Sequence, residues 1–111
     1  MLTGTYNPAE LFEIFGESDG RELLRLAAGD LRLRLDTLAA SLATGDLSNA
    51  ARATHSMAGV AGNISANTLS DLSREAEGRL QAGGALSGEL RARIEEEAAA
   101  VLELIDTVLA A

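Results

Sequence analysis

The sequence predicts an all-α protein. We expect an antiparallel up-down four-helix bundle with a short N-terminal cap helix, in a single domain spanning residues 1–111. Three observations predict it. The only proline stands at position 8, so nothing interrupts helix formation afterwards. Apolar residues recur three and four apart through most of the chain, the period of one helical face. No stretch alternates apolar and polar residues with the period of a strand. The breaks between periodic segments are short, which makes consecutive helices antiparallel neighbours.

Asn7-Pro8 opens the first element: Asn caps, and Pro suits the first helical position, where its missing N–H costs nothing. A short helix follows with Leu11, Phe12 and Phe15 on one side, and Gly16 is expected to end it. Ser18 or Asp19 then caps a long helix, and Asp19 with Glu22 resembles a capping box. Its apolar seam is Leu24, Ala28, Leu31, Leu35, Leu38 and Leu42. Gly29 sits inside it at a cost of about 1 kcal/mol relative to Ala, and the helix is expected to run through. Thr44-Gly45-Asp46 is the break, with Asp46 the next cap. The third helix turns Leu47, Ala50, Thr54, Met57, Ala61 and Ile64 inward. The polar stretch Asn63–Asn67 interrupts it, and Leu69, Leu72, Ala76 and Leu80 mark the fourth helix. Gln81–Gly84 closes that helix and Ser87 caps the fifth, whose seam runs from Leu90 through Ile94, Ala98, Val101 and Ile105 to Leu109.

Composition removes several functions. The chain has no cysteine and one histidine, which excludes disulfides, thiol catalysis and multi-histidine metal sites. Nine basic residues, all arginine, stand against 17 acidic ones, a net charge of −8 that disfavours nucleic acid and anionic membranes as partners. Aromatic residues make up 3%, too few for a stacking platform. No targeting signal is visible in MLTGTYNPAE, and no apolar run reaches the ~20 residues of a membrane span, so the expected compartment is the cytoplasm. An excised domain of a larger protein stays open.

The single histidine, His55, falls roughly 120° from the centre of the inner arc of its helix, so it faces solvent or a groove edge. Its strip also carries Ser48, Arg52, Gly59 and Gly62. Two glycines inside a helix cost stability, and close approach by another surface is the usual reason for them. Between Leu47 and Ser70 only Arg52 is charged at neutral pH, in a chain that is 23% charged. A carboxylate-free zone around one exposed imidazole suits an incoming anion such as a phosphoryl group. A lone histidine on a helix surface is more often a plain surface residue, and position alone does not separate the two.

The stretch Gly45–Leu80 resembles a histidine-containing phosphotransfer domain of two-component phosphorelays. The resemblance lies in His55, Met57 two residues later, Gly59 four later, the Ala61-Gly62 pair, Leu69 and Leu72, preceded by the Gly45-Asp46 turn. LFEIFGESDGRELLRLAAGDL is similar to the opening helices of that family. The resemblance implies a carrier. His55 would accept a phosphoryl group from the aspartyl phosphate of a receiver domain and pass it to another receiver. The partners implied are response-regulator receivers or a hybrid histidine kinase, and the chain is expected to act as a monomer. No cofactor is implied on this chain; Mg²⁺ would sit on the receiver. No P-loop or kinase-type glycine loop is present, so no kinase or ATPase activity is expected.

Two positions depart from the family pattern. The usual Lys three residues after the histidine is Ala58, and Ser65 stands where many members have glycine. Arg52, one turn before His55, either supplies the missing positive charge or only solvates the helix. The expected docking surface comprises Ser48, Arg52, Ser56, Ala58, Gly59, Gly62 and Asn63, joined by apolar residues on the exposed rim of the long helix. Two other functions stay open. The chain could dock receivers and relay poorly, or be a structural bundle that self-associates through an exposed face on which Leu33 lies.

Overall fold

The computed structural model describes residues 6–111. Residues 1–5 of the expected domain, and with them half of the N-terminal segment searched for a targeting signal, lie outside the described residues. The described chain forms four helices: α1 (Ala9–Thr44), α2 (Leu47–Asn63), α3 (Asn67–Gln81) and α4 (Gly88–Ala110). No strand occurs among the described residues, and no helix there is long and apolar enough to cross a membrane.

The expected cap helix is not a separate element. The chain from Ala9 enters α1 through a kink at Gly16, whose φ of 83° and ψ of 172° leave the helical region for one residue only. Such a conformation is open to glycine and closed to nearly every other residue. Ser18 and Asp19 therefore lie inside α1 and cap nothing. The segment before the kink is fastened by packing. Leu11 is buried, and the Phe12 ring lies against Gly20, where a Cβ would sit 2.6 Å from the ring. Pro8 stands at the N-cap rather than at the first helical position, and Asn7 just before it accepts the Ala9 N–H through Oδ1 at 3.0 Å.

The three turns share one device. In each, the residue past the helix end takes a left-handed conformation: Gly45 (φ 74°), Ser65 (φ 61°) and Gly83 (φ 81°). Around each, two backbone N–H groups return to the last-turn carbonyls in the pattern of a Schellman motif. Gly45 and Asp46 donate to Leu42 and Ser41, Ser65 and Ala66 to Gly62 and Ala61, and Gly83 and Gly84 to Leu80 and Arg79. Two of the next helices, α2 and α4, start on caps read from the sequence, while α3 starts at Ala66 with no side-chain cap. Asp46 accepts from the Asn49 N–H at 3.0 Å, and Ser87 accepts from the Leu90 N–H at 3.1 Å.

The core is the expected seam. Leu24, Leu31, Met57, Ile64, Leu69, Ile94, Val101 and Ile105 are fully or almost fully buried. Burying side chains of this kind contributes about 1.5–3 kcal/mol each. Arg21 donates to the carbonyls of Val108 at 3.2 Å and Leu109 at 2.6 Å, so α1 just past its kink lies beside the end of α4.

The α2–α3 pair positions the site. Small residues are buried on both helices, Ala50, Ala51, Ala58 and Ala61 on α2 and Ser70, Ser73 and Ala76 on α3. Small side chains let two helices approach closely. Ser70 Oγ donates to the Ala58 carbonyl at 2.9 Å, which sets the antiparallel register one turn beyond His55.

Candidate functional site

His55 projects from the middle of α2 with 74% of its side chain exposed, as the helical phase predicts. Its Nδ1 lies 2.8 Å from Oε2 of Glu77 on α3, a carboxylate only 18% exposed. Gln81, one turn further along α3, donates through Nε2 to the same oxygen at 3.2 Å. An ionised carboxylate only accepts, so the neutral imidazole carries its proton on Nδ1 and donates it to Glu77. That leaves the Nε2 lone pair free at the solvent side of the ring.

This arrangement corrects the expectation of a carboxylate-free surround. The gap from Leu47 to Ser70 is real along the chain, but antiparallel packing brings Glu77 to the histidine from outside that window. Sequence reasoning missed Glu77. A signal for it existed in the strip Ser70, Ser73, Glu77 and Gln81, which follows helical spacing on the side of α3 that meets α2.

A groove between α2 and α3 opens beside the ring, with Ser48, Arg52 and His55 on one wall and Glu77, Leu80 and Gln81 on the other. Ser48 and Arg52 are exposed there as expected. On the other side of His55, Gly59, Gly62 and Asn63 are exposed and Ser56 is half-buried. Neither glycine answers to packing inside the chain. A Cβ at Gly59 would meet nothing within 4 Å, and one at Gly62 would make an ordinary contact of 3.6 Å with Ser70 Oγ. Asn63 lies on a second groove with Leu23, Leu26 and Val60, so the bare strip runs on to the apolar rim of α1. Leu26 and Leu33 are exposed on that helix.

Ala58 is the exception among the expected docking residues. Only 4% exposed, it faces α3 and presents no side chain to a partner. Among the described residues no three His, Asp or Glu side chains converge into a metal site.

Comparison with known families fits this geometry. The Hpt domain model matches residues 22–111, most of the chain. The chain belongs to the Hpt domain family. No curated protein and no solved structure matches it significantly. Hpt domains carry out histidine phosphotransfer in phosphorelays and interact with receiver domains. The match covers α2, α3, α4 and all of α1 beyond Arg21, and so takes in His55, Glu77 and both grooves.

Proposed function

We propose that His55 is the phospho-acceptor of this Hpt domain, taking a phosphoryl group from a receiver aspartyl phosphate and handing it to another receiver aspartate. The observation that supports this best is the ring's orientation. Nδ1 is committed to Glu77, and the nucleophilic Nε2 faces solvent where a second protein can reach it. The Nε2 lone pair attacks phosphorus as the P–O bond to the donor aspartate breaks, and the bond's electron pair leaves with the carboxylate. The Nδ1 proton stays in its hydrogen bond to Glu77, so the ring need not reorganise. In the second transfer an aspartate oxygen attacks phosphorus, and the N–P electron pair returns to Nε2.

The loose transition state of phosphoryl transfer needs positioning and charge stabilisation more than covalent help. Mg²⁺ belongs to the receiver in this scheme. The docking face comprises Ser48 and Arg52 on one side of His55, with Ser56, Gly59, Gly62 and Asn63 on the other. Leu26 extends it on α1. A receiver reaches the ring there because the two glycines leave the helix surface bare. We place the exchange in the cytoplasm, with this chain acting as a monomer.

The deciding experiment is phosphoryl transfer from a panel of phosphorylated receiver domains, scored as acid-labile, base-stable label. Label on the wild-type chain and none on a folded His55→Gln variant is the expected outcome. Receiver binding without label on either would favour a docking-only module. Label surviving in His55→Gln would move the acceptor elsewhere.

A further inference from the structure

We infer that Arg52 is the cation this chain supplies to the phosphoryl group on its way through His55, contacting the phosphoryl oxygens directly; the inference rests on the phosphotransfer role of His55. Arg52 precedes His55 by three positions, which on a helix puts their Cβ atoms about 5–6 Å apart. Long helical side chains lean over the preceding turn, so the His55 ring lies toward the turn that carries Arg52. Both side chains line the α2–α3 groove, and Arg52 is the one basic residue in its lining.

The Arg52 guanidinium is also uncommitted. Arg21, Arg25, Arg32, Arg34, Arg79 and Arg91 each pair with a carboxylate at 2.7–3.4 Å. Arg52 is exposed and has no hydrogen bond or ion pair among the described residues. The groove's carboxylate, Glu77, already accepts from His55 and Gln81. In a chain of net charge −8, most arginines find an internal partner. Of the three that do not, Arg52, Arg74 and Arg93, only Arg52 lines the groove beside the exposed imidazole.

A phosphoryl group on Nε2 would supply that partner. A planar guanidinium matches two phosphoryl oxygens at once, and a charge-assisted pair of this kind is about twice as strong as a neutral hydrogen bond. Arg52 takes part in neither the bond formed nor the bond broken. It holds the charge spread over the equatorial oxygens while phosphorus passes between Nε2 and the aspartate. It also offsets repulsion from Glu77, which sits on the Nδ1 side of the ring. Ala58 offers no charge and is buried.

The test compares wild type, Arg52→Ala, Arg52→Lys and His55→Gln, each presented with a receiver domain charged by a small acyl phosphate. Loss of a charged hydrogen bond predicts that Arg52→Ala transfers about tenfold more slowly or worse. Arg52→Lys should recover part of the rate. Thermal stability should not change, and the loss of rate should exceed any loss of affinity for the unphosphorylated receiver. ³¹P NMR gives a readout that a purely structural role would not move. The titration of the phosphoryl group on His55, loaded with phosphoramidate, should shift to higher pH in Arg52→Ala, because the cation favours the dianion.

Wild-type transfer and an unmoved titration in Arg52→Ala would overturn the role of Arg52 alone. A rate loss matched by an equal loss of receiver affinity, with the titration unmoved, would confine Arg52 to docking and overturn the inference too. A wild-type chain that no receiver in the panel labels would overturn the phosphotransfer role of His55, and the inference with it.

Discussion

His55 Nδ1 and Glu77 Oε2 lie 2.8 Å apart although 22 positions and a helix turn separate them in the chain. The carboxylate is mostly covered and the imidazole mostly exposed. The pair therefore works as a mount: a mostly covered acceptor fixes one ring nitrogen and turns the other outward. Partners that orient a functional imidazole typically change activity by about 10–100-fold when removed. Glu77→Ala should slow transfer to His55 by about tenfold, at the low end of that range because the groove is open to water. Nitrogen chemical shifts of the ring should show the proton redistributing between Nδ1 and Nε2. Loss of rate with an unchanged tautomer would mean that Glu77 acts on docking instead.

The glycine strip separates docking from folding. A Cβ at Gly59 meets nothing within 4 Å, so Gly59→Glu introduces no internal clash. Helix propensity alone predicts a gain of up to about 1 kcal/mol from replacing an interior glycine. The same side chain places bulk and negative charge one turn from His55. We expect unchanged or slightly higher thermal stability, together with receiver binding weakened at least tenfold by titration calorimetry. Unchanged affinity would remove the strip from the interface.

Much of this was legible in the sequence because helical periodicity is local. The seams of Leu24–Leu42, Leu69–Leu80 and Leu90–Ile105 lie in or against the core, and Asp46 and Ser87 cap as their side chains allow. What escaped depends on contacts between segments. Gly16 followed by Ser18 and Asp19 has the local marks of a stop and a new start. It becomes a kink because Phe12 packs over Gly20. Phe15, expected on the same side of the short helix as Leu11 and Phe12, is 48% exposed while Leu11 is buried. Glu97 stands in the acidic run 95–97, yet it is 4% exposed, since it follows Ile94 by three and precedes Val101 by four on the inner face. Glu77 needed the α2–α3 register, which no single segment carries.

Ser65 is a glycine position filled by serine. It occupies the left-handed site of the turn between α2 and α3, the site that Gly45 and Gly83 fill in the other two turns. An L-residue there costs about 1–2 kcal/mol, against roughly 0.5–1 kcal/mol of extra chain entropy for glycine. The Ser65 hydroxyl returns little, its contact with Glu10 being 3.4 Å long and exposed. Ser65→Gly should therefore stabilise the fold by about 0.5–1 kcal/mol, read as a rise of a few degrees in Tm. Since the turn also sets the α2–α3 register, the His55–Glu77 pair and the transfer rate should be preserved.

Tyr6 makes the stability of the chain sensitive to alkali over a defined range. Burial pushes its phenol from the ordinary 10.0 up to about 12. Its hydroxyl is enclosed and has no hydrogen-bond partner. A group with a raised folded-state value contributes fully below the unfolded value and loses that contribution as pH rises through the folded one. Stability should therefore be level up to about pH 10 and fall between 10 and 12. The composition makes the test clean. The chain has one tyrosine, no cysteine and no lysine, so no other kind of side chain ordinarily titrates in that interval. Tyr6→Phe should abolish the decline. At neutral pH it should be neutral or slightly stabilising, because it removes a buried hydroxyl that bonds to nothing. Urea unfolding at pH 7, 10 and 11.5 checks both parts. A decline of equal size in the variant would place the alkaline sensitivity elsewhere in the chain.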